Sequence, residues 1–388
     1  MPRQLLFLPG PVMVAQPVVE ALACPLVDHR GPEFAALLAR ITGALQPIFG
    51  TKGDVVLLGS SGTGALETAV ANLFSPGDCV LSCAVGVFGK RFAAIAERYG
   101  CSVEPLNTPV GAALDPRALE ERLAADTHHA IKGVLLTHNE TSTGVANDMA
   151  ALASPLRAHG ALTLVDSISG LGATELQMDE WGYDVVVAAS QKAFAAPPGV
   201  AMVAASERAW KHMEHTTSPR FYFDLRHARE AARHGQTPWT PPISILFALD
   251  VALQRYNAEG MDGASARFAR YAGAVRAALE RLGFTFVSSP DAHSPTVVAA
   301  YPPEGVDVKE LLKRLREKHR VVLSGGQGEL AGKILRFGTM GDVHDVDLLG
   351  AIGAIELTLM DLGHDVTPGA ATGAAIEALA GRVTSGVA

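Results

Sequence analysis

The order of apolar runs between residues 50 and 205 constrains the fold more than any other feature of this sequence. Short runs rich in Val, Leu and Ala alternate there with amphipathic stretches, which predicts strands separated by helices. Such alternation favours an α/β fold, a mostly parallel sheet with helices on both faces. The predicted strands are Val55–Leu58, Cys79–Cys83, Ser102–Leu106, Gly133–Thr137, Leu162–Val165, Val185–Ala189 and Ala201–Ala205, and the predicted helices cover about 64–74, 88–99, 116–124 and 148–158.

The rest of the chain predicts a smaller α+β unit. Pro241 to Leu282 is mostly helical in pattern, with an interruption near Gly260. Strands are predicted at Phe284–Ser288, Val297–Tyr301, Val321–Leu323 and Ile334–Phe337, and helices at about 307–319 and 345–362. We therefore expect an N-terminal segment (1–20) that contributes to the active site or the small domain, a large domain (21–260), a small C-terminal domain (261–365) and an Ala/Gly-rich tail (366–388).

Composition excludes several classes of protein. The 388 residues include 32 basic and 40 acidic side chains, a net charge of −8, without a basic cluster, so we expect no nucleic-acid partner. No apolar run reaches the length of a membrane span. The run Leu5–Leu8 stops at Pro9-Gly10-Pro11, too short for a secretory signal, which favours the cytoplasm. The cysteine and histidine spacings do not predict a metal site.

Lys192 is the only lysine or arginine between Arg157 and Arg208, and it follows the predicted strand Val185–Ala189. Removal from water lowers the pKa of a lysine toward neutrality, which suits Schiff-base formation with a carbonyl cofactor. The alternative is a lysine that extends its ammonium group to solvent. The local sequence leaves both interpretations open.

Two polar segments follow other predicted strands. Asp166 ends an apolar run. A carboxylate buried there needs a positively charged partner, such as the protonated ring nitrogen of pyridoxal phosphate (PLP). The alternative is that Asp166 caps the next turn. Ser61-Gly62-Thr63 opens a predicted helix, where exposed N–H groups favour a phosphate. The alternative is an ordinary tight connection, and the segment matches neither common nucleotide-binding glycine pattern.

Three further residues suit a planar cofactor and a carboxylate substrate. Phe88 lies between glycines, where its ring could stack on the cofactor or pack in the core. Thr141 follows a strand end, where its hydroxyl could reach the cofactor or cap a turn. Arg336 lies in an apolar strand and could hold a substrate carboxylate or form a structural ion pair.

Taken in order, these motifs resemble the fold-type I PLP-dependent aminotransferases of class V, most of all the alanine–glyoxylate and serine–glyoxylate (serine–pyruvate) group. The resemblance covers about residues 5 to 360 and implies a seven-stranded, mostly parallel sheet in the large domain. The matching stretches are Leu8–Pro11, Asp28–Phe34, Ser61–Glu67, Glu140–Val145, Val165–Ser167, Ser190–Lys192, Ala196–Gly199 and Leu335-Arg336.

The resemblance also implies roles for individual residues. Lys192 would be the Schiff-base lysine, and Asp166 the partner of the ring nitrogen. Arg336 would bind the substrate carboxylate, with Gly10 beside it. The cofactor-binding residues would be Ser61, Gly62, Thr63, Phe88, Thr141, Asp166, Ser190, Gln191 and Lys192, together with Thr237 or Thr240 from a neighbouring subunit. Phe88 stands where the group often has tryptophan.

The function implied is ping-pong transamination from a small amino acid, alanine or serine, to glyoxylate or pyruvate in a homodimer with shared sites. Cysteine desulfurases share the fold class but need a late cysteine, and no cysteine follows Cys101 here. An acidic donor such as aspartate or phosphoserine, or lyase or decarboxylase chemistry on the same scaffold, stays open. A protein that binds PLP without catalysis would be expected to lack Lys192 or Asp166, and both are present.

Overall fold

The computed structural model of the protein describes residues 4–381 and contains two lobes, each built around its own sheet. The strands are β1 (Leu5–Leu6), β2 (Val55–Gly59), β3 (Cys79–Cys83), β4 (Ser102–Pro105), β5 (Ile131–Thr137), β6 (Asn139–Glu140), β7 (Val145–Ala146), β8 (Leu162–Asp166), β9 (Val185–Ala189), β10 (Val200–Ala205), β11 (Thr285–Phe286), β12 (Val297–Tyr301), β13 (Val321–Val322), β14 (Ser324–Gly325) and β15 (Leu335–Gly338). The α-helices are α1 (Gln16–Ala21), α2 (Pro32–Phe49), α3 (Gly62–Leu73), α4 (Val87–Arg98), α5 (Pro116–Ala124), α6 (Met149–His159), α7 (Met178–Trp181), α8 (Glu207–Met213), α9 (Leu225–Arg233), α10 (Ile243–Glu259), α11 (Met261–Arg281), α12 (Val308–His319), α13 (Asp345–Asp361) and α14 (Ala370–Leu379).

The large lobe contains a seven-stranded sheet in the order β2-β10-β9-β8-β5-β3-β4. Only β10 runs antiparallel to its neighbours, and the other pairs are parallel. The predicted fold class is therefore confirmed. Each of the seven strands predicted from the sequence is present, with ends within two residues of those expected.

Alternate residues of the central strand β9 pack into different cores, which is why this strand is apolar throughout. Val186 and Ala188 belong to the core that also contains residues of α2 and α10. Val185 and Val187 belong to the core on the opposite face, with residues of α3 and α4. Because both faces are covered, side chains can reach solvent mainly where the strands end.

The small lobe contains a four-stranded antiparallel sheet in the order β11-β12-β15-β14. Its core includes residues of α11, α12, α13 and α14. The predicted strand 321–323 is present as β13, but it lies outside this sheet, and β14 takes the edge position instead. The helical pattern breaks at Gly260 as expected, and the predicted tail forms α14 before residues 382–388, which lie outside the described part.

The N-terminal segment connects the two lobes. β1 pairs in parallel with β13, and the Gly338 N–H donates a 2.7 Å hydrogen bond to the Phe7 carbonyl. The chain then turns at Pro9-Gly10 into the large lobe, where it meets Lys192. Within residues 4–381, no helix is both long enough and apolar enough to span a membrane.

Candidate active site

Lys192 lies in the turn between β9 and β10, with only 9% of its surface exposed. Its Nζ donates a 2.9 Å hydrogen bond to the Pro9 carbonyl oxygen. Gly10 lies against the same side chain, and a Cβ added there would be 2.7 Å from Nζ. The side chain therefore does not extend to solvent, and the alternative interpretation of Lys192 is wrong.

The surroundings of Lys192 favour the neutral amine. Burial lowers its pKa from 10.5 to about 8. The Asp166 carboxylate opposes this shift, whereas the charges of Arg336 and Arg91 add to it. A lysine with this pKa has a sizeable neutral fraction near physiological pH, which a nucleophilic amine requires.

Asp166 ends β8, the strand beside β9, and is 4% exposed. Burial raises the pKa of its carboxyl to about 7, and the charge of Glu140 acts in the same direction. The Ile168 N–H donates a 3.0 Å hydrogen bond to Oδ1, so the turn-capping role is also real. No cationic side chain in residues 4–381 forms an ion pair with Asp166, and a protonated ring nitrogen would supply that charge.

Ser61, Gly62 and Thr63 form the start of α3. The Ser61 side chain accepts a long hydrogen bond of 3.4 Å from the Gly64 N–H. Gly62 packs so closely that an added Cβ would be 2.6 Å from Ile168, two residues after Asp166. The free N–H groups at the start of α3 are therefore next to the Asp166 turn, a suitable position for an anion.

The side chain of Gln191 independently indicates that this site binds a further polar group. Its Oε1 is buried and has no hydrogen-bond partner within residues 4–381, although it adjoins Lys192. An unpaired buried polar atom costs about 1–3 kcal/mol. Together with the start of α3 and the Lys192 and Asp166 pair, this orphaned amide fits a polar, phosphorylated cofactor.

Three hydroxyl residues predicted to bind the cofactor have different positions. Ser190 is fully buried and donates a 2.6 Å hydrogen bond to the Pro197 carbonyl, which holds the lysine turn together. Thr237 donates a 2.7 Å hydrogen bond to the Trp239 carbonyl, inside its own loop. Thr240 is exposed. The Ser190 and Thr237 hydroxyls are thus occupied within the chain.

Arg336 is 5% exposed and lies against Thr141. Its Nε donates to the Gly325 carbonyl at 2.9 Å, and its Nη1 to the Thr141 carbonyl at 3.2 Å. No carboxylate within residues 4–381 forms an ion pair with it, so the structural ion pair considered from the sequence is wrong. Its Nη2 has no hydrogen-bond acceptor in that range and can bind a carboxylate. The Thr141 hydroxyl instead donates a 2.9 Å hydrogen bond to Ser169.

Phe88 lies at the start of α4 and is half-buried, so it is not a core residue. The carboxylate of Glu140 holds Phe88 in place and is fully buried, but the sequence did not predict Glu140 as a site residue. Glu140 Oε2 accepts 3.0 Å hydrogen bonds from the N–H groups of Phe88 and Gly89. Its Oε1 accepts from the N–H and hydroxyl of Ser142. Glu140 therefore fixes the start of α4, where negative charge is favoured.

His138 is another residue that sequence analysis missed. Its ring is hydrogen-bonded to the Ser167 hydroxyl at 2.8 Å and to the Thr174 hydroxyl at 2.7 Å. Burial lowers its pKa to about 4, so the ring is neutral near pH 7. Its backbone N–H donates to the Asp166 carbonyl at 2.8 Å. His138 thus stabilises the turn that carries Asp166.

Three features together fit a site for PLP: a buried lysine of low pKa, a buried carboxyl group at the end of the next strand, and an adjacent helix start. On this scaffold they define a PLP-dependent enzyme of fold type I. The family model for aminotransferase class-V matches residues 21–336. The chain belongs to the class-V aminotransferase family.

Named relatives agree with this assignment. The L-aspartate–glyoxylate aminotransferase of Paracoccus denitrificans is 38% identical over 377 residues, 96% of this chain and 95% of the relative. The serine–glyoxylate aminotransferase of Methylorubrum extorquens is 35% identical over 382 residues, 96% of this chain and 95% of the relative. Among solved structures, pyridoxamine–pyruvate aminotransferase from Mesorhizobium loti matches with a TM-score of 0.92 and 31% identity, covering 97% of each chain.

Proposed function

We propose that the protein is a transaminase that moves the amino group of a small amino acid, alanine or serine, to glyoxylate or pyruvate. The observation that carries the proposal is the burial of Lys192 and Asp166 at the ends of adjacent strands, with Arg336 in the same site. The charges of Asp166 and Arg336 both influence the pKa of Lys192. Similarity to serine–glyoxylate aminotransferase supports the choice of substrates.

PLP, when bound, supplies an aldehyde that takes up the amino group and a ring that accepts electrons from the substrate Cα. The start of α3, with Ser61, Gly62 and Thr63, would hold the phosphate, and Phe88 would face the ring. Asp166 would hold a proton at the ring nitrogen. The burial of Asp166 and the position of Ser61–Thr63 at the start of α3 support these roles.

Two side chains, Arg336 and Lys192, would act on the substrate itself. The Arg336 guanidinium binds and orients the carboxylate, through the N–H groups that have no partner within residues 4–381. The neutral amine of Lys192 removes the proton from Cα and returns one during the second half of the reaction. Since burial brings its pKa to about 8, this base operates near neutral pH.

Aspartate is a second candidate donor. The relative from Paracoccus denitrificans, named an L-aspartate–glyoxylate aminotransferase, is 38% identical over most of this chain. The side-chain carboxylate of an aspartate substrate would need a second cation to bind it, in addition to Arg336. The two candidates differ in one measurable property, the kcat/KM for aspartate relative to serine and alanine.

We also propose that the active protein is a homodimer in the cytoplasm. Phe221 is 74% exposed and Tyr222 46% exposed, and both rings pack against Trp239. The Tyr222 hydroxyl donates to the Gly59 carbonyl at 3.3 Å, so these aromatic residues border the predicted phosphate site. Since the Thr237 hydroxyl is occupied, Thr240 is the better candidate to complete a neighbouring subunit's site.

A donor-by-acceptor panel tests the proposal. Purified holoenzyme is incubated with alanine, serine or aspartate and with glyoxylate or pyruvate, and both products are measured. Transfer from serine or alanine, absent in Lys192→Ala, is the expected result. Failure of every pair, or equal turnover by the Lys192→Ala variant, would overturn it. Faster turnover of aspartate would select the second candidate.

A further inference from the structure

Arg91 is a charged residue beside the site that neither the sequence motifs nor the proposed reaction uses. It lies in α4, three residues after Phe88, and is half-buried. Its guanidinium carbon is 4.7 Å from the centre of the Phe88 ring. Its Nη1 donates a 3.2 Å hydrogen bond to the Thr63 hydroxyl. One guanidinium therefore contacts both the predicted stacking ring and the predicted phosphate-binding loop.

In the described part of the chain Arg91 has no carboxylate beside it, and only Asp166 attracts its charge from a longer distance. No carboxylate within residues 4–381 forms an ion pair with it, whereas the preceding residue, Lys90, pairs with Glu329 at 2.9 Å. A half-buried guanidinium without a carboxylate partner keeps N–H groups with which it can bind an anion. Its neighbour Thr63 lies at the helix start, where an anion is favoured. The phosphate of the proposed cofactor would supply the missing charge.

We infer that Arg91 is a positioning residue that joins the two halves of the cofactor site, orienting the phosphate through Thr63 and the stacking ring through Phe88. The inference rests on the proposed function, because it requires PLP as the ligand. A guanidinium over the Phe88 ring can at the same time donate a hydrogen bond to Thr63, a combination that a lysine ammonium cannot reproduce. Arg91 is thus expected to act before any substrate binds.

The first test compares PLP with pyridoxal, which lacks the phosphate. Dissociation constants for both are measured with apo-protein by fluorescence titration, for wild type, Arg91→Gln and Arg91→Lys. Arg98→Gln is the matched control, since Arg98 is an exposed residue of the same helix. We expect Arg91→Gln to weaken PLP binding about 10-fold or more, with a much smaller effect on pyridoxal. Arg91→Lys should recover only part of the loss.

A purely structural role would give a different result. If PLP and pyridoxal binding weaken equally in Arg91→Gln, or if neither weakens, the inference is wrong. Circular dichroism of each variant verifies folding. Should Arg91→Gln fail to fold, Thr63→Val carries the test, because it removes the hydroxyl through which Arg91 acts; an unchanged preference for PLP over pyridoxal in that variant overturns the inference.

A double-mutant cycle tests whether Arg91 acts through Thr63. If Arg91 acts through Thr63, the variant with both Arg91→Gln and Thr63→Val binds PLP about as weakly as Arg91→Gln alone. Independent effects that multiply in the double variant would contradict the inference.

The pH dependence of Lys192 acylation in the apo-protein gives a second readout, because it follows the pKa of the free amine. The charge of Arg91 lowers the pKa of Lys192, so its removal is expected to move the midpoint upward, with no movement in Arg98→Gln. An unmoved midpoint in Arg91→Gln would count against the inference. Wild-type protein that binds no PLP would instead refute the proposed function, whereas wild-type binding with an unaffected Arg91→Gln refutes only the role of Arg91.

Discussion

The Nζ of Lys192 donates a hydrogen bond to the carbonyl oxygen of Pro9, 183 positions earlier in the chain, at 2.9 Å. The N-terminal segment thus lies directly over the amine that is proposed to react. Because the amine has to exchange this bond when the cofactor binds, the shape of the segment at Pro9-Gly10 is expected to control access to Lys192.

The variant Gly10→Ala tests whether the segment at Pro9-Gly10 controls access to Lys192. Gly10 has a φ of +144°, and its added Cβ would be 2.7 Å from both Cδ and Nζ of Lys192, so the lysine or the segment must move. We expect PLP binding to weaken about 10-fold or more, the equivalent of 1.4 kcal/mol. Gly273→Ala, in α11 with no atom near the added Cβ, is the control and should bind normally. Normal binding by Gly10→Ala would show that the segment yields easily.

The lowered pKa of Lys192 predicts selective chemical labelling. With a pKa of about 8, roughly half of this amine is neutral at pH 8 in the apo-protein, against under about 1% of a lysine with the ordinary value of 10.5. Mass spectrometry after brief acylation over a series of pH values measures the reactivity of each lysine. We expect the Lys192 profile to rise with a midpoint near pH 8, and PLP to protect it. A midpoint near 10.5 would contradict the burial argument.

Asp166→Asn should lower both activity and the pKa of Lys192. The Asp166 carboxylate opposes the lowering of that pKa, so its neutralisation is expected to move the labelling midpoint below about 8. Loss of the charge opposite the ring nitrogen should reduce kcat about 100-fold or more. Asp179→Asn, at a carboxylate that binds Thr51 and Lys52, is a control. A midpoint that moves upward in Asp166→Asn would show that the two groups are not coupled as described.

Glu140→Gln is expected to destabilise the protein even without cofactor. The amide keeps one acceptor oxygen but places an NH2 group opposite N–H or hydroxyl donors of Phe88, Gly89 and Ser142. The free energy of unfolding should fall by about 2–3 kcal/mol, measured by urea denaturation. Glu120→Gln, at an exposed position of α5, should change it by less than about 0.5 kcal/mol.

Phe221→Asp tests the proposed dimer. A carboxylate in the aromatic surface of Phe221, Tyr222 and Trp239 should prevent association, because it would be buried without a partner. Sedimentation velocity is expected to show a monomer with weakened PLP binding. Val346→Asp places the same charge at a 79% exposed position of the small lobe and should remain dimeric. A dimeric Phe221→Asp would place the interface elsewhere.

The local sequence pattern was sufficient to predict the large sheet and the positions of Lys192 and Asp166 next to its strand ends. Val185–Ala189 reads as a buried strand on its own, so the turn that carries Lys192 follows from it. Glu140, His138 and Arg91 were not predicted as parts of the site, because each acts through partners distant in sequence: α4 for Glu140, Thr174 for His138 and Thr63 for Arg91. The pairing of β13 with β1 was not predicted either, because strands of two residues are too short to show a periodic pattern.

The pairing of Leu5 with Val321 has a consequence for biosynthesis. The segment that lies over Lys192 is synthesised long before its partner strand, which follows most of the described residues. We expect the large sheet to assemble while translation continues, with Leu5–Leu6 still unpaired. In a ribosome-bound chain that ends before residue 321, the candidate site would therefore be open and unfinished.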